Sequence, residues 1–410
     1  MEYTVKTINE LCTKITDGSH FSPEHETNGQ YPMYSVKDME YNNFSNADCK
    51  MIGQAMFEKL SKTDCRPLKN DILIAKDGSY LKCAFKVNED LNACILSSIA
   101  ILRPNLKNID PDYFVYLMRT KSIKGAMANY VSGSALPRII LSDFKKMKLK
   151  MISSLPTQQK IASILSAYDN LIQNYKKQIE ALQTAASELY KEWFVRFPGY
   201  KNSRFENGIP EGWKIERLGN LFEITSSKRV FEEDYVNEGI PFYRSKEIIE
   251  LSNNQEITTE LFISNELYAK FKNKFGVPKE NDILITSVGS IGNSYQVRKD
   301  DIFYFKDGNL TWIKSSSKKA LSKYLIYWLK SDLGKNTLIS STIGTSQSAL
   351  TIEKLRAIKI LVPEVNILEK FEQKISSFDI KIQILNKQIA NLTQQRDLLL
   401  PRLMSGKLEV

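Results

Sequence analysis

The sequence is poor in the residues and motifs on which most enzymes depend. Among its 410 residues there are only two histidines, His20 and His25, so a histidine-based metal site or catalytic triad is not indicated. It contains no phosphate-binding loop of the G-x-x-x-x-G-K-[ST] type. It also lacks the N-P-P-[FY] tetrapeptide with which amino-methyltransferases hold a flipped base. These absences argue against a catalytic function.

Long apolar runs and paired cysteines are absent as well. No stretch of 18 apolar residues occurs, and the first residues lack the apolar core of a signal peptide, so we expect a cytoplasmic protein without a membrane segment. The five cysteines are odd in number and include no C-x-x-C pair. Neither a disulfide framework nor a zinc site is therefore indicated, and we expect the cysteines to be small core residues.

What the sequence does contain is a repeat with a period of about 210 residues. The pentapeptide Asn-Asp-Ile-Leu-Ile occurs at 70–74 and again at 281–285, and Gly-Ser follows each copy, at 78–79 and 289–290. Other matching pairs are Pro32-Met33-Tyr34 with Pro241-Phe242-Tyr243, and 113–120 with 324–331. Because the offsets lie between 209 and 211, the sequence indicates a duplicated unit. The period is too long for a solenoid.

The order of elements is predicted to be the same in both copies. Apolar runs at 70–74 and 95–102 predict strands, Asp110-Pro111 predicts the start of a helix that runs to Thr120, and one further strand precedes a long helix. A stretch rich in turn residues, 198–213, separates the copies. We therefore predict an α+β protein with domains at 1–155 and 198–362, and long helices at 156–197 and 363–405.

Both long helices carry an apolar heptad seam in the same phase, and each is predicted to run for roughly 40 residues. Only Arg396 breaks the seam. Two in-phase seams favour a mutual coiled coil over two ordinary core helices; an antiparallel pair is modestly favoured over a parallel one. The seam positions are Ile161, Leu165, Tyr168, Ile172, Ile179, Leu182, Leu189, Phe371, Ile375, Phe378, Ile382, Ile389, Leu392 and Leu399.

The net charge of +10 is shared equally between the two copies. Residues 1–150 hold 21 Lys and Arg against 17 Asp and Glu, and residues 198–362 hold 24 against 20, so each carries +4. A basic module present twice suggests a polyanion contacted twice, and nucleic acid is the first candidate. A pI near 9 alone does not establish this.

Polar loops that differ between the copies are the candidate contact sites. Divergent loops on a shared scaffold would let two copies read different bases, although ordinary surface polarity is an equal alternative for any one residue. The predicted DNA-contacting residues are His20, Lys37, Lys76, Ser79, Tyr80, Lys82, Arg138, Lys228, Arg229, Arg244, Lys246, Ser287, Ser290, Asn293 and Gln347.

Several short segments, taken together, resemble the specificity subunit of type I restriction-modification systems. They are the loop 16–20, the end of the first long helix at 188–197, the opening of the second copy at 209–213 and the closing segment 399–406. The resemblance covers essentially the whole chain and the two-copy layout. It implies two target recognition domains, joined by two antiparallel coiled-coil helices in a pseudo-twofold arrangement.

The resemblance also implies a function and a set of partners. Such a subunit is not a catalyst; it binds an asymmetric, two-part site in double-stranded DNA and docks two methyltransferase subunits, which use S-adenosylmethionine, and restriction subunits, which use ATP and Mg²⁺. No cofactor is expected in this chain, and the loops match the family only in position, so no target base can be assigned. The alternative is a coiled-coil scaffold without a sequence-specific DNA role, but it does not explain two equally basic domains.

Overall fold

The computed structural model divides the chain into two compact units. Unit 1 comprises Met1–Lys177 and Leu385–Val410, and unit 2 comprises Gln178–Ile384. The structure describes the chain except residues 1, 79–82, 132–136, 197–204, 207–208, 254–256, 258, 316–318 and 345–347, and for residues 205 and 206 it describes the backbone only. Most of the predicted linker, 198–213, therefore lies outside the described residues.

The first copy alternates short strands and helices before the first long helix. Its elements are β1 (Tyr3–Thr7), α1 (Ile8–Leu11), β2 (Cys12–Asp17), β3 (Tyr31–Tyr34), β4 (Lys50–Ile52), α2 (Gln54–Ser61), β5 (Ile72–Ala75), β6 (Ala84–Lys86), β7 (Cys94–Ile95), β8 (Ile99–Pro104), α3 (Pro111–Arg119), α4 (Lys121–Ala128), α5 (Leu141–Lys146), β9 (Lys148–Ile152) and α6 (Leu155–Phe194). A short 3-10 helix lies at Val36–Asp38.

The second copy follows the same plan. Its elements are β10 (Phe205–Glu206), β11 (Ile209–Pro210), β12 (Lys214–Arg217), α7 (Leu218–Leu221), β13 (Glu223–Thr225), β14 (Tyr235–Val236), β15 (Ile240–Tyr243), α8 (Ser245–Ser252), β16 (Phe262–Ile263), α9 (Asn265–Lys274), β17 (Ile283–Thr286), β18 (Ser294–Gln296), β19 (Tyr304–Phe305), β20 (Leu310–Lys314), α10 (Lys319–Lys330), α11 (Asp332–Ser340), α12 (Ile352–Ala357), β21 (Lys359–Val362) and α13 (Val365–Met404). A 3-10 helix lies at Glu232–Asp234.

Sheet topology confirms the duplication. The main sheet has the order β2-β8-β5-β6 in the first copy and β13-β20-β17-β18 in the second, and both are antiparallel throughout. A strand pair, β1-β9 or β12-β21, precedes each long helix. A smaller sheet differs in size, with the order β4-β3-β7 in one copy and β14-β16-β15-β19 in the other.

The repeated Asn-Asp-Ile-Leu-Ile segment has a structural cause. Asn70 and Asn281 both have φ of +71°, a left-handed conformation that asparagine tolerates better than most residues. The next residues, Asp71 and Asp282, are buried and accept the backbone N–H groups of Leu68 and Lys279 at 2.8 and 2.9 Å. The segment thus turns the chain into an inner strand of each sheet, and its three apolar residues enter the core.

Two local predictions had different outcomes. The helix predicted from Asp110-Pro111 is confirmed: α3 begins at Pro111, and the Asp110 carboxylate accepts the Tyr113 N–H at 2.9 Å. The prediction of one strand over 95–102 is wrong, because the segment is divided between β7 and β8. A turn separates them; it is closed by the Ile99 N–H, which donates to the Leu96 carbonyl at 3.0 Å.

The two long helices are confirmed, each with 40 residues, and they pair in antiparallel fashion within each unit. In unit 1 the beginning of α6, at Ile161, shares a core with Leu403 near the end of α13. In unit 2 Phe194, at the end of α6, packs on Phe371 near the start of α13, with ring centroids 4.9 Å apart. All fourteen predicted seam residues are buried or partly buried.

Candidate nucleic-acid interface

Three loops meet at one end of the main sheet in unit 1. The first follows β2, the second follows β5, and the third precedes α5. The Gly78 N–H donates to the Pro137 carbonyl at 2.8 Å, and the Ile139 N–H donates to the Lys76 carbonyl at 3.0 Å. The Lys76 N–H donates to Ser98 in the turn between β7 and β8 at 3.0 Å. Backbone bonds therefore hold the second loop against its neighbours.

Charged side chains form an ionic chain through these loops. The Lys76 ammonium lies 3.1 Å from Asp17 and 3.9 Å from Asp77. Asp17 is also 3.3 Å from His20, and Asp77 binds the Arg138 guanidinium through two contacts of 2.8 and 2.9 Å. Because paired contacts fix the plane of a guanidinium, Asp77 orients Arg138. The pairing with Asp77 also raises the pKa of Arg138.

The second copy builds the same loop junction from neutral residues. Val288 forms an isolated bridge with Ala349, as Asp77 does with Arg138. The Leu350 N–H donates to the Ser287 carbonyl at 2.8 Å, which repeats the bond from Ile139 to Lys76. The backbone junction is thus common to both copies, whereas its side-chain chemistry is ionic in one and neutral in the other.

The two isolated bridges also change how the third loops of the two copies align. The shared Ser-Ala-Leu tripeptide would align Ala349 with Ala135, but the bridge places Ala349 where the first copy has Arg138. The repeated glycines are explained by conformation: Gly78 and Gly289 have φ of +68° and +73°, with open space around the position of a Cβ atom. At these positions the backbone, not crowding, favours glycine.

Besides Ser290, six of the predicted contact residues that the structure describes are exposed. Lys37 is exposed and donates to the Asp48 carbonyl at 3.1 Å. Lys246, its counterpart, is 60% exposed and lies 3.8 Å from Glu250. The others are His20, Arg138, Lys228 and Arg229; Arg229 pairs with Asp307 at 2.9 Å.

Further predicted residues lie at the surface but are engaged locally. Arg244 is partly exposed and paired with the buried Glu247 at 2.9 Å. Asn293 is partly buried, and its side-chain amide donates to the carbonyl of the exposed Ser290 at 2.8 Å. Ser79, Tyr80, Lys82 and Gln347 lie outside the described residues.

Two predicted contact residues are buried, which is a correction. Lys76 is only 3% exposed, because its ammonium is enclosed between Asp17 and Asp77. Ser287 is 4% exposed, and its hydroxyl lies 2.6 Å from that of Thr311. Both side chains therefore support the loops in this structure.

Sequence reasoning missed the acidic members of this site. Asp17 lies three residues before His20 and Asp77 directly follows Lys76, and these nearby acidic residues were the available signal. Within the described residues no group of three or more His, Cys, Asp or Glu side chains could hold a metal ion. Over the same part of the chain, no helix is long and apolar enough to cross a membrane.

Known proteins with the same architecture are specificity subunits. A family model described as a type I restriction modification DNA specificity domain matches residues 1–184 and 210–394. The type I restriction enzyme MjaIX specificity subunit of Methanocaldococcus jannaschii is 32% identical over 307 residues, which are 73% of this chain and 69% of that protein. The MjaVIII specificity subunit of the same organism is 25% identical and covers 86% of this chain and 83% of its own.

A solved structure has the same fold. It is that of a type I restriction-modification S subunit from M. genitalium, which matches with a TM-score of 0.59 at 20% identity. The match covers 98% of this chain and 96% of that one. The fold is therefore shared along nearly the whole chain.

Proposed function

The chain belongs to the type I restriction-modification DNA specificity family, and on that premise we propose that its two copies each read one half of an asymmetric, two-part DNA site. As a specificity subunit it is the DNA-recognition component of such a system and not a catalyst. The domain limits of the proposal are 1–155 and 198–362, with the long helices at 156–197 and 363–405.

One observation carries the proposal. The second and third loops are joined by the same backbone bridge in both copies, and the side chains at that bridge change from the Asp77–Arg138 pair to Val288 and Ala349. Base edges present different patterns of donors, acceptors and methyl groups, so two chemically different junctions suit two different half-sites. A scaffold without a DNA role would not require this divergence at equivalent positions.

The partners follow from the proposed role. This chain would dock two methyltransferase subunits, which bring S-adenosylmethionine, and restriction subunits, which bring ATP and Mg²⁺. Adenine methylation requires a flipped base, so the chemistry belongs to the methyltransferase and the choice of site to this chain. The complex would act in the cytoplasm, where it has access to DNA.

The decisive experiment is to map methylated adenines in cells that express this chain with its methyltransferase. We expect one interrupted, asymmetric motif. Arg138→Ala should relax one half of the motif by about 1–3 kcal/mol of discrimination at a base pair and leave the other half unchanged. Arg229→Ala in the second copy is the matched variant and should spare the first half. A symmetric motif, or none, would contradict the proposal.

The equivalent lysines Lys37 and Lys246 are expected to contact phosphates. Because each phosphate contact releases counterions, each alanine variant should reduce the slope of log affinity against log salt concentration by roughly 0.9. Titrations of a labelled duplex at four salt concentrations would measure it. Lys148→Ala, which removes an exposed lysine from β9, is the control. Slopes identical to wild type in both variants would assign these lysines to the scaffold.

A further inference from the structure

The one charged residue in the apolar seam, Arg396, is buried and ion-paired. It is 6% exposed, and its guanidinium lies 2.6 Å from the carboxylate of Asp169 on α6. It also binds its neighbour Asp397 at 2.8 and 2.9 Å. Asp169 is itself 6% exposed. A buried charge is tolerated only when it is paired, so the two helices depend on each other at this point.

The same carboxylate is bound by the first recognition domain. The Tyr116 hydroxyl donates to Asp169 at 2.7 Å, and the Arg119 guanidinium lies 3.4 Å away. Burial and the neighbouring Asp169 raise the pKa of Tyr116, so its hydroxyl remains a proton donor. Helix α3 of the domain is thereby fixed on α6.

A surface loop of the domain is held by the same group. The ring of Tyr41 lies 4.0 Å from the guanidinium carbon of Arg119 and 4.5 Å from that of Arg396. Arg119 also donates to the Tyr41 carbonyl at 2.6 Å and to the Asn42 side chain at 2.8 Å. Cations over an aromatic face are attracted to it, most strongly when water is excluded. Arg396 of the second long helix therefore contacts the loop of the first domain directly.

The second copy pairs the equivalent carboxylate with a cation from a different element. Asp379 is the counterpart of Asp169, but the position equivalent to Arg396 is Ala186. The cation comes instead from α10, where the Lys323 ammonium lies 2.7 Å from Asp379 and also binds Gln296. In the first copy the residues equivalent to Lys323 and Gln296 are Asp112 and Lys86, which pair with each other at 2.7 Å. The second domain thus supplies its own cation.

We propose that Arg396 and Asp169 are positioning residues through which the second long helix sets where the first recognition domain sits. In the second copy the equivalent position on α6 is Ala186, so the opposite long helix offers Asp379 no cation there, and Asp379 pairs with Lys323 of its own domain. The inference about DNA rests on the proposed function: a loosely seated first domain would accept half-sites at altered spacing. The inference about seating rests on the contacts alone.

The test compares Arg396→Ala with Lys323→Ala, because each removes a cation that pairs with an equivalent carboxylate. Amide hydrogen exchange should rise about tenfold or more at 39–46 in Arg396→Ala and remain unchanged there in Lys323→Ala. Exchange in β5 and in β17 monitors the stability of unit 1 and of unit 2. With methyltransferase supplied, we also compare the methylation of duplexes whose spacer is one base pair longer or shorter with that of the native spacer. For Arg396→Ala the two should agree to within about tenfold, whereas wild type should discriminate by far more.

Two further variants keep the test decisive. Arg396→Lys retains a cation and should give an intermediate spacing tolerance, since lysine cannot span Asp169 and Tyr41 as a planar guanidinium does. Tyr41→Leu leaves the Asp169–Arg396 ion pair intact and should raise amide exchange at 39–46 alone. This variant therefore tests the contact with the loop if Arg396→Ala does not fold. Unchanged exchange at 39–46, or equal loosening by Lys323→Ala, would overturn the inference. If wild type recognises no two-part site, the proposed function is wrong. The exchange data still test whether Arg396 and Asp169 position the first recognition domain.

Discussion

Phe371→Ala is expected to destabilise unit 2 by about 3–5 kcal/mol, the usual range for removing a buried phenylalanine. Phe371 is fully buried at a seam position of α13. Its ring lies 4.9 Å from that of Phe194, 5.6 Å from Tyr327 and 6.0 Å from Trp193. Alanine would remove the apolar contacts of both long helices and of α10 at once, and such a crowded aromatic cluster cannot easily collapse into the space.

Chemical denaturation followed by tryptophan fluorescence would measure the effect, because Trp193 and Trp213 lie in the same core. Leu398→Ala is the matched control: it also truncates an apolar residue on α13, but Leu398 is 62% exposed. That variant should change the free energy of unfolding by no more than about 0.5 kcal/mol. A loss below about 1 kcal/mol for Phe371→Ala would show that the aromatic cluster is not part of the cooperative core.

Inserting one heptad in each long helix, after Asn174 and after Ile384, is expected to change the DNA target while preserving both half-sites. Seven residues keep the phase of the seam and lengthen each helix by about 10 Å. This corresponds to roughly three base pairs at ~3.4 Å each. The pairs within each unit, such as Asp169 with Arg396 and Phe194 with Phe371, keep their partners, because both helices gain the same length at equivalent positions.

Methylation of duplexes with two to four added spacer base pairs, compared with the native spacer, would reveal the change. The native spacer should lose most of its modification, and a lengthened spacer should gain it. An insertion in α6 alone is the control, since it shifts one part of α6 by a heptad relative to α13, and the pairs Asp169–Arg396 and Phe194–Phe371 cannot both be kept. Methylation of the native spacer by the double insertion would show that the helices do not set the distance.

The repeat made most of the fold predictable. Matching segments at a constant offset predicted two copies with one order of elements, and the heptad phase predicted two helices of equal length. The start of α3 could also be predicted, because capping by Asp110 depends only on neighbouring residues. The division of 95–102 into two strands was missed, although Ser97 and Ser98 interrupt the apolar residues at the turn that separates β7 from β8.

The candidate site was predictable only in part. Loop positions followed from comparison of the copies, and seven of the named residues are exposed. Burial was not predictable, because a lysine in a polar loop becomes buried only when folding brings Asp17 to Lys76 from 59 residues away. The same limit applies to Ser287, whose partner Thr311 lies on a neighbouring strand.

The sequence by itself determined that this is a duplicated, non-enzymatic DNA-recognition protein with two long helices, since repetition, heptad phase and segment resemblance are properties of residue order. Only the tertiary structure decided which charges face each other. Arg396 breaks the seam in the sequence and says nothing of Asp169, 227 residues away, or of Tyr41. A buried charge becomes stable through the partner that folding brings to it, and that partner is a matter of three-dimensional position.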